Sequence, residues 1–249
     1  MSLRVSVCTP AHNEEGNVVE LAQRVDAVMT PLCGDNWEHI IVDDGSSDRT
    51  AELVREQAQH RPGTLRLLQH EVNQGERAAW KTAFDAAEGE VVVMIAADLQ
   101  SHPEDIPRAL DVVWKEGYDV GTCARTDRKD GLFFWAATRV LTTFMRLAFD
   151  VTANDASSSF FAARGDLLKN LPLLHNDHRY ILAVLRRRGA SIKEVGVSHS
   201  ARTAGATHYS RWKVLKAVPE ITRFTARLWR GEFDLPATQV QEAPGSGVR

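Results

Sequence analysis

Short apolar runs alternate with amphipathic stretches over the first half of the chain. The runs have the length of buried strands, whereas the stretches between them repeat apolar residues at helical spacing. The predicted strands cover residues 4–9, 38–42, 65–69, 90–96 and 118–123. The predicted helices cover residues 13–29, 50–60, 76–87 and 103–115. Ser47 or Asp48 is expected to cap the second helix, and Gly89 to end the third.

Repeated strand–helix units of roughly 30 residues predict an α/β fold with a mainly parallel, doubly wound sheet. Ligands of such sheets bind outside the carboxyl ends of the strands. We therefore expect the functional residues in the four segments that follow strand ends, which are residues 9–15, 43–47, 97–100 and 124–130.

The second half follows a different pattern. Leu132–Phe149 is strongly apolar but interrupted by two arginines, and residues 211–230 read as a basic amphipathic helix that Pro219 is expected to kink or split. Shorter segments are predicted as helices over residues 167–171 and 180–188 and as a strand over residues 191–197.

The predicted organisation has three parts. Residues 1–210 form the α/β domain, residues 211–231 the basic helical segment, and residues 232–249 a polar tail that is expected to be disordered.

Charge is distributed unevenly along the 249 residues, although the net charge is only −3. Residues 178–230 hold twelve Lys and Arg against two Glu, and residues 1–177 carry a net −11. A basic quarter on an acidic body indicates an anionic partner, such as phosphates, lipid headgroups or nucleic acid. No apolar run approaches the roughly 20 residues of a membrane-spanning helix. Three widely spaced cysteines and the lack of a signal-like N-terminus favour a reducing cytoplasm.

Two adjacent carboxylates, Asp43 and Asp44, follow the second predicted strand. One of them could accept hydrogen bonds from a base N–H or a ribose hydroxyl. The alternative, a solvated turn that caps the next helix, is equally compatible with this segment alone.

Asp98 and Gln100 follow the fourth predicted strand. A carboxylate and an amide oxygen suit Mg²⁺ or Mn²⁺ that keeps several waters. Such an ion would neutralise a diphosphate leaving group as a Lewis acid. The alternative, that Asp98 only ends the strand, is favoured when this segment is considered alone.

The combination of motifs is more specific than either alone, because the blocks occur in one order along the chain. They read TPAHNEEGNV at 9–18, IIVDDGSSDRT at 40–50, NQGERAAWKTAFDAAEGEVVVM at 73–94, ADLQSHPEDIP at 97–107, YDVGTCARTDRKD at 118–130, NDASSSFF at 154–161, HRYILAVLRRRG at 178–189 and RTAGATHYSR at 202–211. This sequence resembles the family 2 glycosyltransferases of GT-A fold, and within them the dolichol-phosphate mannosyltransferase-like and polyprenyl-phosphate branch. The resemblance implies a Rossmann-like GT-A sheet with C-terminal amphipathic helices, and inverting transfer of a sugar from a UDP- or GDP-sugar to a polyprenyl phosphate.

The resemblance also implies roles for individual residues. Asp44 would contact the base, supported by Asp43, and Asp98 with Gln100 would hold Mg²⁺ or Mn²⁺ and the diphosphate. The implied nucleotide-sugar-binding residues are Pro10, His12, Glu14, Asp43, Asp44, Ala97, Asp98, Arg202 and His208. The implied residues facing an acceptor phosphate are Arg125, Arg128 and Arg139.

Three departures from the family pattern matter. Ala96 stands where the metal motif usually has its first Asp, so one metal-site carboxylate is missing. Glu76 stands where many relatives carry a base. Thr207 and His208 replace Ser and Lys of a phosphate-binding motif.

The acceptor decides whether a general base is needed. A lipid phosphate is ionised near neutral pH and attacks without one, and positioning and charge neutralisation then carry the rate. A hydroxyl acceptor requires a carboxylate, and Asp155 and Asp177 are the candidates. His178 is equally well interpreted as a structural residue or an acid/base group.

Two other functions stay open at this point. One is a soluble family 2 enzyme that glycosylates a hydroxyl of a saccharide or small molecule, and the other is a nucleotide-sugar-binding pseudoenzyme, which Ala96 suggests.

The aromatic residues of the basic quarter follow helical spacing, which argues against nucleic acid. A second copy of the chain is a further candidate partner. The basic helix is expected to pack on the domain or to lie peripherally on the cytosolic face of a membrane. The Arg186–Arg188 run favours a solvated helix end over a phosphate clamp.

Overall fold

A computed structural model describes residues 5–125, 132–155, 158–197 and 211–235, with the side chains at 125, 132–138, 140, 141 and 211–218 outside the description. The strands are β1 Val5–Ala11, β2 Trp37–Asp43, β3 Leu65–Gln69, β4 Val91–Met94, β5 Val120–Arg125, β6 Phe161–Arg164 and β7 Ile192–Val197. The α-helices are α1 Val18–Cys33, α2 Thr50–Gln59, α3 Glu76–Ala86, α4 Ile106–Trp114, α5 Leu132–Phe149, α6 Ile181–Arg187 and α7 Arg211–Trp229. Short 3₁₀ turns cover Pro103–Asp105, Gly165–Leu167 and Asp177–Tyr180.

The described strands form one sheet in the order β3-β2-β1-β4-β6-β5-β7. β6 runs antiparallel to both of its neighbours, and the other pairs are parallel. The predicted α/β class and mainly parallel sheet are therefore confirmed. The loops that follow β1, β2 and β4 lie side by side at one edge of the sheet.

Two hydrophobic cores cover the two faces of the sheet. Val91 and Val93 of β4 pack into one core, beneath α1 and α4, while Val92 and Met94 pack into the other. Strands buried on both faces read as continuous apolar runs rather than as alternating patterns, which explains why β1, β2 and β4 are prominent in the sequence.

The second core joins the C-terminal helix to the sheet. Phe224 of α7 is 1% exposed, stacks on Tyr180 with ring centroids 4.6 Å apart and lies 5.8 Å from the ring of Phe149. The helix predicted as a separate basic segment thus completes the core. It continues as one helix through Pro219. The division predicted at residue 210 stays a prediction, because residues 198–210 lie outside the described part.

The predicted start of the disordered tail, residue 232, is too early in the chain. Phe233 is fully buried, its carbonyl accepts the Nε–H of Arg188 at 2.8 Å, and Asp234 pairs with Arg187. Residues 232–235 are therefore tied to α6. Residues 236–249 lie outside the described part, so the prediction for them is unchanged.

Other differences concern short elements. Residues 167–171, predicted as a helix, form the end of a 3₁₀ turn followed by turn structure, and β6 was not predicted as a strand at all. The third helix ends at Ala86 rather than at Gly89. A Cβ at Gly89 would lie 2.4 Å from the backbone nitrogen of Ser6, so this glycine serves close packing against β1. The predicted cap at Ser47 or Asp48 differs from the structure, in which Arg49 is the N-cap residue of α2 and makes no side-chain capping bond. Asp48, one residue earlier, accepts the backbone N–H of Thr50 at 2.9 Å.

Candidate active site

The carboxylate of Asp44 closes the loop that connects β3 to α3. Its Oδ1 accepts the backbone N–H of Gln74 at 2.9 Å and lies 2.7 Å from Nδ1 of His70, and its Oδ2 accepts the N–H of Gly75 at 2.8 Å. The residue is 3% exposed. Burial opposes ionisation, but the hydrogen bonds from His70, Gln74 and Gly75 outweigh it and hold the pKa of Asp44 below its ordinary value. The group is therefore an ionised carboxylate whose two oxygens are both used within the protein.

Gly45 allows the loop between β3 and α3 to lie close to the residues that follow β2. Its φ is +64°, and a Cβ would lie 2.4 Å from the backbone nitrogen of Asn73. Only glycine combines that conformation with that contact at low cost. The loop and the end of β2 consequently form one rigid wall of the site.

Of the two adjacent carboxylates, Asp43 is the one with an oxygen that accepts no hydrogen bond among the described residues. Its side chain is fully buried, Oδ1 accepts the N–H of Ser46 at 3.3 Å, and Oδ2 has no hydrogen bond among the described residues. An unsatisfied buried acceptor is costly, but this oxygen is closed off from solvent, so a ligand could reach it only after neighbouring residues move. The resemblance assigned the base to Asp44 with Asp43 in support, and these roles stay predictions.

The loop after β1 lies against the same wall. Nδ1 of His12 is 2.9 Å from the carbonyl oxygen of Asp44, and Oδ1 of Asn13, a residue with φ +55°, accepts the N–H of Ser47 at 2.9 Å. Oε2 of Glu14 accepts the Nδ2–H of Asn17 at 2.6 Å. Pro10 pairs in register with Val42. The structure thus brings Pro10 and His12 to the end of β2 that carries the two carboxylates, while Glu14 contacts Asn17 and Thr50. The contact of all three residues with a nucleoside stays a prediction.

Asp98 lies in the turn that follows β4, the strand next to β1. Its Oδ1 accepts the N–H of Gln100 at 3.1 Å. Leu99, between them, is buried with φ +55°, a conformation that costs a β- or γ-branched residue about 1–3 kcal/mol. Ala97 is buried just before the turn. A bulky residue held in a left-handed turn at a strand end is a common mark of a functional site.

The donors at this turn suit a hard divalent cation. Asp98 and Gln100 supply two oxygen atoms, and Mg²⁺ and Mn²⁺ accept such a set when water and phosphate complete their coordination. No group of three or more His, Cys, Asp or Glu side chains suited to a metal occurs among the described residues. This agrees with Ala96 at the position of the missing carboxylate.

Several predicted residues lie outside what the structure describes. Arg128, Arg202 and His208 fall in undescribed segments, and the side chain of Arg125, at the end of β5, is likewise not described. Arg139 is exposed on α5. The roles that the resemblance implies for these five residues stay predictions.

The two candidate bases differ in their surroundings. Asp155 is 3% exposed, and its backbone N–H donates to Glu194 at 3.0 Å. Asp177 is 4% exposed, accepts the N–H of Leu174 at 2.7 Å and pairs with Arg227 of α7. That contact gives Asp177 a structural task, namely holding α7 against the 3₁₀ turn. Proton transfer by either residue stays a prediction.

The arginine run on α6 is structural. Arg186 pairs with Asp150 and Arg187 with Asp234, and the buried Arg188 donates to the carbonyl oxygens of Leu167 and Lys169 at 2.9 Å. Arg186 and Arg187 thus lie at the partly exposed end of α6, as predicted, whereas Arg188 is buried and differs from the predicted solvated helix end.

Sequence reasoning missed two residues of the site. His70 directly follows β3, so the strand-end rule that found Asp44 and Asp98 could also have found it. Trp80 of α3 is 1% exposed, and its ring lies 5.6 Å from that of His178. Nothing in the spacing of α3 separates Trp80 from an ordinary core aromatic residue.

Solved structures identify the class of fold. The chain superimposes on mannosyl-3-phosphoglycerate synthase from Rubrobacter xylanophilus with a TM-score of 0.67 and 17% identity, over 99% of this chain and 79% of that one. It also superimposes on glucosyl-3-phosphoglycerate synthase from Mycobacterium tuberculosis, in complex with Mn²⁺, UDP and phosphoglyceric acid, with a TM-score of 0.67 and 20% identity, over 98% and 84%. The GT-A fold expected from the sequence is confirmed.

Sequence comparison gives the family. The family model for Glycosyl transferase family 2 matches residues 6–172, and this chain belongs to that family. It is 32% identical over 219 residues to undecaprenyl-phosphate 4-deoxy-4-formamido-L-arabinose transferase of Edwardsiella ictaluri, covering 87% of this chain. The transferase of the same name from Pectobacterium carotovorum is 31% identical over 217 residues. The chain spans 66% of the length of each of these relatives.

Among the described residues, no helix has both the length and the apolar content that crossing a bilayer demands.

Proposed function

We propose that this chain is an inverting glycosyltransferase that moves a sugar from a UDP-sugar to a polyprenyl phosphate. One observation carries the proposal: the ends of β1, β2 and β4 bring His12, Asp43, Asp44 and Asp98 to a single edge of the sheet. Family membership and the names of the two transferases, which act on undecaprenyl phosphate, support it. UDP is favoured because it is bound in the M. tuberculosis structure of the same fold.

The donor is held by residues at the ends of β2 and β4, which lie on either side of β1. Asp44 fixes the wall against which the nucleoside packs, and Oδ2 of Asp43 is the acceptor for a base N–H once donor binding opens access to it. Asp98 and Gln100 would hold Mg²⁺ or Mn²⁺ beside the diphosphate, and the ion would supply charge neutralisation to the leaving group.

The reaction needs no proton transfer when the acceptor is a phosphate. An acceptor phosphate oxygen forms a bond to the anomeric carbon, the bond from that carbon to the diphosphate oxygen breaks, and the nucleoside diphosphate leaves with the electron pair. The second pKa of a phosphomonoester is about 6, so the nucleophile is already ionised at neutral pH. Positioning and charge neutralisation therefore account for the rate. Arg125, Arg128 and Arg139 are the proposed acceptor contacts, and Arg202 and His208 the proposed contacts to the donor diphosphate.

The acceptor is a membrane lipid, so the protein is proposed to bind the membrane peripherally. Exposed basic side chains occur on α5 at Arg139 and Arg146, on α7 at Arg223 and directly after α7 at Arg230. Leu147 is 82% exposed and Trp229 71% exposed on the same two helices. Basic side chains around exposed apolar ones suit an anionic lipid surface.

The test is in two stages. Differential scanning fluorimetry with UDP-, GDP- and dTDP-sugars, with and without Mn²⁺, is expected to show stabilisation by a UDP-sugar that increases with Mn²⁺. The stabilising donor is then incubated with a short-chain polyprenyl phosphate or with hydroxyl acceptors, and products are separated by mass spectrometry. Stabilisation by no nucleotide would refute the donor site, transfer to a hydroxyl only would favour Asp155 or Asp177 as a base, and binding without any transfer would identify a pseudoenzyme.

A further inference from the structure

A polar cluster lies beside Asp44 at the first turn of α3. Glu76 follows Gly75, the residue whose N–H donates to Oδ2 of Asp44, and consecutive Cα atoms lie about 3.8 Å apart. The side chain of Glu76 therefore begins at the loop that Asp44 closes. Its carboxylate oxygen Oε2 is 3.3 Å from Nε2 of His178.

The same cluster reaches toward the turn that holds Asp98. The ring of Trp80 lies 5.6 Å from His178 and 5.9 Å from Phe161, and Phe161 pairs with Met94 at the end of β4. Trp80 and His178 thus link the first turn of α3 to β6, the strand that pairs with β4 on the side away from β1. For Glu76 to contact a donor, the sugar of a bound nucleotide-sugar must lie beside its exposed carboxylate.

The buried nitrogens of this cluster interact with Glu76. His178 is 6% exposed and Trp80 1% exposed. Both side chains interact with the Glu76 carboxylate and lower its pKa, although neither contact is a hydrogen bond of good geometry and Nδ1 of His178 has no partner among the described residues. Glu76, in contrast, keeps 53% of its side chain exposed, so the cluster meets solvent through a carboxylate.

We propose that Glu76 determines which sugar is transferred, with His178 and Trp80 as its positioning residues. The carboxylate accepts hydrogen bonds from hydroxyl or amine groups of the donor sugar and repels a sugar that carries its own carboxylate. The inference rests on the proposed function, because it requires a nucleotide-sugar donor beside Asp43 and Asp98.

The charge of Glu76 is secured by its neighbours. The adjacent His178 ring lowers the pKa of Glu76 below its ordinary value, burial opposes that effect, and Arg179 and Trp80 add to it. An ionised carboxylate at a helix N-terminus also stabilises the helix. Glu52 provides a matched control for that effect, since it lies in the first turn of α2 and its side chain is 55% exposed.

The experiment measures dissociation constants by titration calorimetry in the presence of Mn²⁺. The probes are UDP, UDP-glucose and UDP-glucuronic acid, and the proteins are the wild type, Glu76→Gln, Glu52→Gln and Trp80→Phe. The wild type is expected to bind UDP-glucose at least tenfold more tightly than UDP-glucuronic acid. In Glu76→Gln this ratio should fall below threefold while the affinity for UDP stays within twofold. Glu52→Gln should keep the wild-type ratio.

Trp80→Phe tests positioning, because it keeps the aromatic packing and removes the indole N–H. It should lower the sugar ratio without changing the affinity for UDP, a result that loss of packing alone would not give. Binding of UDP by the wild type without discrimination, or an unchanged ratio in Glu76→Gln, would overturn the assignment of Glu76 and leave the donor site intact. Failure of the wild type to bind UDP at all would overturn the donor site itself. An unchanged ratio in Trp80→Phe would overturn the role of Trp80.

Discussion

Asp44 joins three segments of the chain through one carboxylate. It lies at the end of β2, and its oxygens contact His70 after β3 and the two residues that precede α3. The adjacent Asp43 keeps one oxygen unsatisfied. Two neighbouring residues of the same type therefore differ in role, since Asp44 holds the wall of the site together and Asp43 keeps a buried acceptor without a partner among the described residues.

Replacing Asp44 with Asn should destabilise the fold. An amide in place of the carboxylate removes one acceptor for the loop N–H groups and for His70, so we expect a loss of about 1–3 kcal/mol in the free energy of unfolding. Urea denaturation followed by circular dichroism measures it. Asp85→Asn is the control, because Asp85 lies on α3 with 42% of its side chain exposed and should change stability by less than about 0.5 kcal/mol. Equal stability of the two variants would contradict the role of Asp44.

Replacing Asp98 with Ala should abolish transfer while leaving the fold intact. Loss of one charge-stabilising group at a leaving diphosphate typically costs about 10²–10³ in rate. The product assay with polyprenyl phosphate measures the rate, and Asp105→Ala, next to the same loop, is the control for general effects. A rate within twofold of wild type in Asp98→Ala would show that this turn does not hold the diphosphate.

Residues at strand ends could be predicted because their position follows from the order of the strands. Asp44 and Asp98 were found in this way. The partner of Asp177 could not be found, since Arg227 lies 50 residues further along the chain and only the packing of α7 brings them together. The unsatisfied oxygen of Asp43 likewise depends on the conformation of residues 44–46, which no spacing rule specifies.

Helix α7 has two faces with different tasks. Phe224 is 1% exposed among the aromatic rings of the core, while Trp229 is 71% exposed. Phe224→Ala should lower the free energy of unfolding by about 3–5 kcal/mol, because it removes a buried ring and leaves a cavity. Trp229→Ala should change it by less than about 0.5 kcal/mol. Thermal and urea unfolding of both variants test this prediction. A similar loss of unfolding free energy in both would show that the two faces of α7 contribute equally to stability.

Strand β2 contains a histidine that the fold keeps neutral. Nε2 of His39 lies 3.0 Å from Oγ1 of Thr9 on β1, and burial lowers the pKa of His39 from 6.5 to about 3. The unfolded chain binds a proton near pH 6.5 that the folded chain does not bind until about pH 3. Stability from the neutral ring is therefore complete above pH 6.5 and is lost as the pH falls from there toward 3.

Replacing His39 with Gln should remove this pH dependence, since Gln can keep a hydrogen bond to Thr9 and does not titrate. Between pH 7 and pH 5 the wild type should lose about 2 kcal/mol more unfolding free energy than the variant does. Urea unfolding at pH 7, 6 and 5 gives the pH dependence of the unfolding free energy for both proteins. An equal pH dependence would mean that His39 binds its proton in the folded chain at the same pH as in the unfolded chain.

At the level of elements, the predictions succeeded where apolar periodicity was strong and failed where it was absent. Leu65–Gln69 was predicted with its observed bounds, and the apolar segment Leu132–Phe149 coincides with α5. β6 was missed because its four residues include two alanines and an arginine, which are poor signals for a strand. Its place in the sheet comes from the neighbours it pairs with rather than from its own sequence.

Many basic residues that are clustered in the second half of the sequence contact groups of the protein itself in the folded molecule. The arginines of α6, with Arg227, face carboxylates and carbonyl oxygens of the protein itself. The basic character of the second half is thus partly internal. Exposed arginines that could meet an external anion include Arg139 and Arg146 on α5 and Arg223 on α7, the two helices that also expose Leu147 and Trp229.

Binding to membranes should therefore depend on α7 and on salt. Flotation with vesicles that contain phosphatidylglycerol is expected to retain the wild type at low ionic strength. Because each basic residue near an anionic surface contributes about 1 kcal/mol, Arg223→Glu should weaken binding roughly tenfold or more. Arg108→Glu, on α4, reverses a charge of similar exposure and should have no effect. Equal binding by both variants would place the lipid surface elsewhere.

β6 also has a consequence for biosynthesis. Val91–Met94 of β4 pairs with β1 on one side. Its other side and the neighbouring side of β5 can pair only after Phe161–Arg164 has been synthesised. While the ribosome has not yet released that segment, two apolar strands keep unpaired edges, the feature that promotes aggregation. Nascent chains that end before residue 161 should therefore depend on chaperones more than chains that extend beyond residue 164, in which, of the described strands β4 and β5, only the edge of β5 that pairs with β7 is still unpaired.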